Sequence, residues 1–222
     1  MKLIFANRNY SSWSLRAWLV LRQFGIPFDE DLVLLSGDGW KETIRKKSPS
    51  GKVPVLIDGE AVVPETIAII EYLNDKYPAK GIWPSDRLKR AQARAVSAEM
   101  HGGFNALRNA APMNLRASHP GKIDFDPIAG DLRRIEEIWG DLTSESGGPF
   151  LFGKFTAADA MFAPVASRIR TYALPVSDVA MDYVETIYAL PAFQEWLVAA
   201  TKEPWVVEQD EIDIIQGRTL AK

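Results

Sequence analysis

The apolar positions divide the chain into two parts that differ in periodicity. In the first third, short apolar runs alternate with segments whose apolar residues recur at helical spacing. The runs predict strands at residues 3–6, 30–35, 53–57 and 61–63, and the helical spacing predicts helices from residue 13, over 40–47 and over 65–77. The order is β-α-β-α-β-β-α, and its first crossover connection predicts that the first two strands are parallel.

From residue 85 onward, almost every segment has helical spacing. Ser85 is a favoured N-cap for a long helix that runs through Leu107, with Gly102 and Gly103 inside it. Two glycines inside a helix favour close packing over a nearby ligand. Further helices are predicted over 128–142, 157–172, 179–189 and 193–201. The pattern therefore predicts an α/β domain over residues 1–79, followed by an all-α domain over residues 85–222.

The amino-acid composition excludes several kinds of functional site and gives no reason to expect several kinds of partner. The 222 residues are 47% hydrophobic, which is ordinary for a chain that buries a core, and the formal net charge is −3. That charge gives no electrostatic reason to expect a nucleic-acid partner. The absence of cysteine excludes disulfides, thiolate zinc sites, iron–sulfur clusters and a cysteine nucleophile. His101 and His119 lack metal-ligand spacing, so we expect no metal cofactor.

The apolar runs also bear on location. The run at residues 3–5 is too short for a signal peptide, and no run approaches the roughly 20 apolar residues that cross a bilayer. We therefore expect a cytoplasmic protein with no membrane partner.

Glycine-rich phosphate-binding motifs are missing from their usual strand–helix context, which argues against dinucleotide and nucleoside triphosphate chemistry.

Serines cluster at the first predicted strand–helix junction. Ser11, Ser12 and Ser14 lie before and at the start of the first predicted helix. A helix N-terminus stabilises an anion through its dipole and its unpaired backbone N–H groups. Serine is equally a favoured N-cap, so capping and anion binding both stay open for this segment. Three serines in four positions leave at least one hydroxyl beyond what a cap needs.

Two further polar constellations lie near the third and fourth predicted strands. Lys52-Val53-Pro54 brings a proline into a strand, and a cis Val53–Pro54 bond would let the Val53 backbone pair with an extended peptide. Glu65 and Thr66 stand at a helix N-terminus, where they could hold an ammonium and a carboxylate. A capped helix start with an acidic first turn explains the same two residues.

These segments together resemble the glutathione transferase family. The resemblance is carried by residues 11–16 (SSWSLR), 51–56 (GKVPVL), 65–73 (ETIAIIEYL) and 155–159 (FTAAD), and it extends over nearly the whole chain. Thr156 and Asp159 are similar to that family's helix-capping motif. The Ser-Ser-x-Ser-x-Arg stretch is closest to the zeta class, which includes maleylacetoacetate isomerases. The resemblance implies a thioredoxin-like amino-terminal domain, an all-α carboxy-terminal domain and a homodimer.

The resemblance also implies how glutathione is activated. Ser11 would hydrogen-bond the glutathione sulfur, with Ser12 assisting through its backbone or hydroxyl. The ligand would then supply the thiol that the chain itself lacks. A serine donor and a helix N-terminus both favour the thiolate over the thiol, whose pKa is ordinarily near 8.5.

The remaining glutathione contacts are implied in the same way. Pro54 corresponds to the family's cis-proline, and Val53 to the residue that pairs with the cysteinyl backbone of glutathione. Glu65 and Thr66 would hold the γ-glutamyl amine and carboxylate. Lys52 occupies a position that often contacts the tripeptide.

Two residues depart from the zeta-class pattern. Trp13 stands where zeta members commonly have cysteine, which puts isomerase activity in question, and Thr66 replaces the more usual serine. The second substrate is expected to be a small hydrophobic electrophile held between the domains. Candidate wall residues, chosen for apolar character and position, are Tyr10, Trp40, Met100, Phe104 and Met113.

Three functions stay open on the sequence alone. The favoured one is a glutathione S-transferase that attacks electrophiles in detoxification, with peroxidase activity as an added option. The second is a glutathione-dependent cis–trans isomerase similar to maleylacetoacetate isomerase. The third is a protein that binds glutathione without catalysis, because folds are reused without chemistry. Product analysis separates the first two, since a transferase consumes glutathione and an isomerase returns it.

Overall fold

The amino-terminal part of the chain is a sheet covered by helices. The structure is a computed structural model that describes residues 1–37 and 39–214. The strands of the amino-terminal part are β1 (Lys2–Ala6), β2 (Asp29–Val33), β3 (Val55–Asp58) and β4 (Ala61–Pro64), in the sheet order β2-β1-β3-β4. Its helices are α1 (Ser12–Gln23), α2 (Trp40–Lys47) and α3 (Thr66–Lys76). β1 and β2 are parallel, and β3 is antiparallel to β1 and β4. The predicted order and the parallel first pair are therefore confirmed.

The rest of the described chain is helical, as predicted. Its helices are α4 (Arg87–Gly102), α5 (Asn105–Ala110), α6 (Ala129–Ser146), α7 (Ala157–Tyr172), α8 (Asp178–Ala189) and α9 (Pro191–Lys202), and a 3₁₀ turn follows at Glu208–Asp210. α7 is buried along nearly its whole length because α1, α4 and α8 pack around it. The predicted second domain extends to residue 222, and residues 215–222 lie outside the described residues. Within the described chain, no helix is both long and apolar enough to cross a bilayer.

The N-cap predicted for α4 is wrong by one residue. Asp86, rather than Ser85, caps this helix, since its carboxylate accepts hydrogen bonds from Leu88 N and Lys89 N, both at 2.9 Å. Aspartate satisfies two of the unpaired N–H groups at once and carries the negative charge that the helix dipole favours.

The long helix predicted through Leu107 is also wrong, because it is broken into α4 and α5. Gly103 is the C-cap of α4, and Phe104 adopts the left-handed region with a φ of 56° before α5 begins. A Cβ on Gly103 would lie only 2.7 Å from the backbone oxygen of Glu99, whereas a Cβ on Gly102 would meet nothing within 4 Å. The expected close packing therefore applies to the second glycine, where the backbone turns.

The capping box predicted at the start of α7 is confirmed. The buried carboxylate of Asp159 accepts hydrogen bonds from Thr156 N (2.8 Å), Leu151 N (3.0 Å) and the Tyr183 hydroxyl (3.0 Å). This one side chain connects the start of α7 to the preceding loop and to α8.

α1 joins the sheet to the helical part. Residues 14–21 are all buried, because α3 and β1 pack against this helix from one part of the molecule and α7 and α9 from the other. The rings of Trp18 on α1 and Trp196 on α9 lie 5.2 Å apart. Arg16 is wholly buried, and its Nε donates to Met161 O on α7 at 2.8 Å. The N-terminus of α1 is thereby fixed at the junction of the two parts.

Candidate active site

The turn between β1 and α1 is built by two of its three serines. Ser14 is buried, and its Oγ accepts hydrogen bonds from Ala6 N at 3.0 Å and from the Ser11 hydroxyl at 2.7 Å. Ser11 is the N-cap of α1, and its Oγ accepts from Ser14 N at 3.4 Å. The Ser11 hydroxyl therefore already donates its proton to a hydrogen bond with Ser14.

Ser12 is the serine that this turn does not use. It is the first residue of α1 and is half-buried, and its hydroxyl makes no hydrogen bond to the described part of the chain. It lines a cavity of about 390 Å³, called cavity A here, together with Ser11 and Tyr10. That volume lies in the range of small-molecule sites. Cavity A therefore has a hydroxyl donor at the positive end of a helix.

Three of the five wall residues predicted for the second substrate line cavity A, namely Tyr10, Trp40 and Met113. The other two, Met100 and Phe104, lie in the hydrophobic core instead. Met100 is completely buried on the inner face of α4, and Phe104 occupies the break between α4 and α5. Apolar character alone could not separate a wall residue from a core residue.

The wall of cavity A is more cationic than the sequence suggested. Lys52, Arg108 and Arg168 all line it, and Asp210 is the one acidic residue among the described lining residues. Arg168 is buried and its Nε donates to Ala111 O at 2.8 Å, and burial lowers its pKa to about 10. Burial also lowers the pKa of Arg108. Both guanidinium groups stay charged at neutral pH, so this cavity attracts anions.

A second cavity of about 470 Å³, called cavity B here, adjoins the first. The predicted glutathione residues Lys52, Val53, Pro54, Glu65 and Thr66 all line it, so the structure brings these five side chains together. The Val53–Pro54 bond is cis. Trp13, Lys52, Val53 and Arg108 line both cavities, which makes the two neighbouring halves of one cleft.

Glu65 is held in a fixed position at the edge of cavity B. It is the N-cap of α3 with a φ of 81°, and its Oε2 accepts from Ile67 N at 2.9 Å and Ala68 N at 3.4 Å. Its Oε1 lies 2.8 Å from Nε2 of His101, which reaches over from α4. Glu65 therefore caps α3 through one carboxylate oxygen, while its other oxygen faces His101 at cavity B.

Trp13 separates the two cavities. The guanidinium of Arg16 lies 4.3 Å from its ring centroid and that of Arg108 lies 4.8 Å from it, while the His101 ring meets it edge-on at 5.1 Å. Its backbone oxygen accepts from the Thr66 hydroxyl at 3.2 Å. A tryptophan contacted by two cations in this way is held by cation–π attraction from both, so it acts as a rigid partition.

Sequence reasoning missed His101, Arg108, Arg168 and Asp210 in this cleft. Only Arg168 carried a local signal, since it is a charged residue within the long apolar run of α7. The other three come from α4, α5 and the segment after α9, and only the tertiary fold brings them to the N-terminus of α1.

Comparison with known proteins identifies the family and the fold. Residues 10–76 match the family model described as glutathione S-transferase, N-terminal domain, and residues 92–199 match glutathione S-transferase, C-terminal domain. A probable maleylacetoacetate isomerase from Caenorhabditis elegans is 28% identical over 84% of this chain and 87% of its own length. A zeta-class glutathione S-transferase from Euphorbia esula is 34% identical over 47% of each chain.

Among solved structures, a glutathione transferase homologue from Burkholderia GL BGR1 with bound glutathione superposes with a TM-score of 0.70. It is 26% identical to this chain, and the match covers 91% of this chain and 98% of that one. The fold and the cleft thus define a two-domain protein with a thioredoxin-like domain followed by a helical domain. The chain belongs to the glutathione S-transferase family, and it is a glutathione-dependent enzyme of the transferase or isomerase kind.

Proposed function

We propose that glutathione lies in cavity B with its sulfur at the N-terminus of α1, and that its thiolate attacks an electrophile held in cavity A. The observation that carries this proposal is the Ser12 hydroxyl, which has no partner within the described chain and lines cavity A at the N-terminus of α1, beside Trp13, which lines both cavities. The favoured activity is that of a glutathione S-transferase.

The tripeptide contacts follow from the side chains that line cavity B. Glu65 Oε1 supplies a carboxylate for the γ-glutamyl ammonium, and Thr66 supplies the helix N-terminus for the γ-glutamyl carboxylate. Val53 pairs through its backbone with the cysteinyl residue, and Lys52 binds a carboxylate of the tripeptide. Both of these residues line both cavities, which supports a position for the cysteinyl sulfur at the boundary.

Ser11 and Ser12 have different roles beside the glutathione sulfur. The resemblance assigns the sulfur contact to Ser11, but that hydroxyl donates to Ser14 and caps the helix. Ser12 is therefore the better donor to the thiolate, and Ser11 shapes the turn beside it. Lowering the thiol pKa by two units requires about 2.7 kcal/mol, which one charge-assisted hydrogen bond and a helix N-terminus together supply.

The cationic wall favours an isomerase as the second candidate. Lys52, Arg108 and Arg168 suit an electrophile that carries carboxylates better than a purely apolar one. The Caenorhabditis elegans relative is named a probable maleylacetoacetate isomerase, which agrees with such a substrate. Trp13 is the residue at the cavity boundary that departs from the zeta-class pattern.

The thiolate proposal is tested by titrating bound glutathione through its thiolate absorbance in wild type, Ser12→Ala and Ser11→Ala. We expect Ser12→Ala to bind glutathione but to raise the pKa of its thiol by about one unit or more. Ser11→Ala should chiefly lower stability, by about 1 kcal/mol for a lost N-cap. Ser85→Ala is the matched control, because Ser85 is exposed and lies outside both cavities.

An unchanged thiol pKa in both site variants would overturn the assignment of sulfur binding to this turn. Product analysis with carboxylate-bearing cis alkenes then separates the two activities, because a transferase consumes glutathione and an isomerase returns it. The homodimer, the cytoplasmic location, the detoxification role, the peroxidase option and the domain boundaries at 1–79 and 85–222 stay predictions. Sedimentation of the full chain tests the first of these.

A further inference from the structure

We propose that Asp210 is the general acid for addition of glutathione to activated double bonds in cavity A. This inference rests on the proposed function, since it requires a glutathione thiolate at the N-terminus of α1. It names a catalytic residue for one kind of electrophile, the α,β-unsaturated carbonyl compounds.

The chemical surroundings single out Asp210. Among the described residues that line cavity A it is the one acid, while Lys52, Arg108 and Arg168 supply positive charge. Its carboxyl makes no hydrogen bond and no ion pair to the described part of the chain. A partly buried carboxyl that lines a ligand cavity and has no hydrogen bond or ion pair within the described chain is a candidate for chemistry.

The segment that carries Asp210 is fixed on both sides of it. Glu203 accepts hydrogen bonds from Arg8 N at 2.9 Å and Asn9 N at 3.3 Å, and Val207 and Ile212 are buried. The neighbouring Glu211 accepts a hydrogen bond from the Tyr10 hydroxyl. Arg116 reinforces this link, because it donates to Tyr10 Oη at 2.7 Å and to Trp205 O at 3.0 Å. Asp210 therefore lies in a segment that is bonded to the β1–α1 turn, and it lines cavity A together with Ser11 and Ser12.

Charged and titratable groups around Asp210 come from several elements. Burial raises the pKa of its carboxyl to about 6, Arg168 on α7 opposes that shift, and Glu211 adds to it. Arg108 on α5, Lys52 before β3 and the Tyr10 hydroxyl line the same cavity. A carboxyl of this pKa still carries a proton in part of the molecules near neutral pH, which is the range where a general acid is effective.

The reaction balances with groups already named. The glutathione thiolate forms a C–S bond to the β-carbon, the π pair of the alkene moves toward the carbonyl, and the carbonyl oxygen becomes an enolate. Asp210 transfers its proton to that oxygen, and the resulting enol tautomerises to the saturated ketone. Asp210 regains from solvent the proton that the glutathione thiol released, so no oxidant or reductant is involved.

The test compares two electrophiles that differ in their need for a proton. Addition to benzylideneacetone requires one, whereas substitution on chlorodinitrobenzene releases chloride and requires none. Wild type, Asp210→Asn and Asp213→Asn are assayed with both at saturating glutathione, between about pH 5 and about pH 8. Asp213 is the matched control, because it is on the same segment, exposed, outside cavity A and paired to Lys122 at 3.1 Å.

We expect Asp210→Asn to lower kcat for benzylideneacetone by about 100-fold and to remove the alkaline fall of its pH profile. The same variant should change kcat for chlorodinitrobenzene less than about twofold, and Asp213→Asn should match wild type on both. Equal losses on both electrophiles, or an unchanged rate on benzylideneacetone, would overturn the inference. If wild type converts only benzylideneacetone, the pH profile tests the inference: loss of the alkaline fall in Asp210→Asn supports it, and an unchanged fall overturns it. If wild type binds glutathione and converts neither, the transferase proposal itself fails.

Discussion

A buried carboxyl can be stabilised by hydrogen bonds and still hold its proton more tightly than in water, and Asp159 is such a case. Leu151, Thr156 and Tyr183 all donate to it, yet burial raises its pKa to about 6 from the usual 3.8. Between these two pH values the folded chain binds more protons than the unfolded chain. The contribution of Asp159 to stability is therefore full below about pH 4 and decreases as the pH rises through 6.

This sign leads to a prediction for Asp159→Asn. The variant removes the titrating group, so its loss of stability relative to wild type should be about 2 kcal/mol smaller at about pH 7.5 than at about pH 4.5. Urea unfolding at both pH values measures the difference. Asp86→Asn is the control, because the backbone hydrogen bond from Lys89 lowers the pKa of the Asp86 carboxyl. Its loss of stability should not decrease over this range, and the same decrease in both variants would contradict the prediction.

The break between α4 and α5 aligns two residues of the cleft that one continuous helix would place differently. His101 lies in the last turn of α4 and meets Glu65, while Arg108 on α5 lies over Trp13. Arg108 also donates to His101 O at 3.2 Å, which ties the two short segments together across the break. The change of direction at Gly103 thus places Arg108 at the wall of both cavities.

A Cβ at Gly103 should disturb this break. Gly103→Ala places a carbon 2.7 Å from Glu99 O, and we expect a destabilisation of about 1–3 kcal/mol with a weaker affinity for glutathione. Gly102→Ala is the matched control, since its Cβ would meet nothing within 4 Å, and it should be neutral or stabilising by up to about 1 kcal/mol. Thermal unfolding and calorimetric glutathione titration of both variants provide the comparison. Equal stability of the two variants would contradict the role given to Gly103.

The local pattern of apolar and polar residues was sufficient to predict a helix or strand wherever residues that end such an element flank it. The four strands and α1–α3 lie within a few residues of their predicted positions because glycine, proline and asparagine flank them. The break at Gly103 was not predicted because helical spacing does not reveal how closely Gly103 approaches Glu99 O in the folded chain. Asp210 could not be predicted either, since nothing in its own segment shows that it meets a serine turn almost 200 positions earlier.

The two parts of the molecule share α1 so extensively that we expect them to fold together. Residues 14–21 of this helix are buried, and Trp18 packs on Trp196 of α9. Without α7 and α9, that apolar surface would face water.

A fragment of residues 1–79 is therefore expected to lose much of its helical circular dichroism and to bind the dye 8-anilinonaphthalene-1-sulfonate. The full chain should unfold in one transition, measured by circular dichroism and by fluorescence. The fragment with Trp18→Gln gives the comparison, because it exposes less apolar surface and should bind the dye more weakly. A fragment as ordered and as stable as the full chain would show that the division at residues 79 and 85 separates independent folding units.

The hydrogen bonds that Arg8 N and Asn9 N donate to the Glu203 carboxylate have a consequence for the order in which the molecule is made. The hydrogen bond from Arg8 N spans 195 residues, so the loop that it closes is among the longest this chain can form. During translation, the serine turn leaves the ribosome long before Asp210 is made, so this wall of cavity A cannot form until residues 1–210 have been synthesised. We expect contacts that close so long a loop to form after the folding transition state, so weakening them should speed opening of the chain and leave its rate of folding almost unchanged.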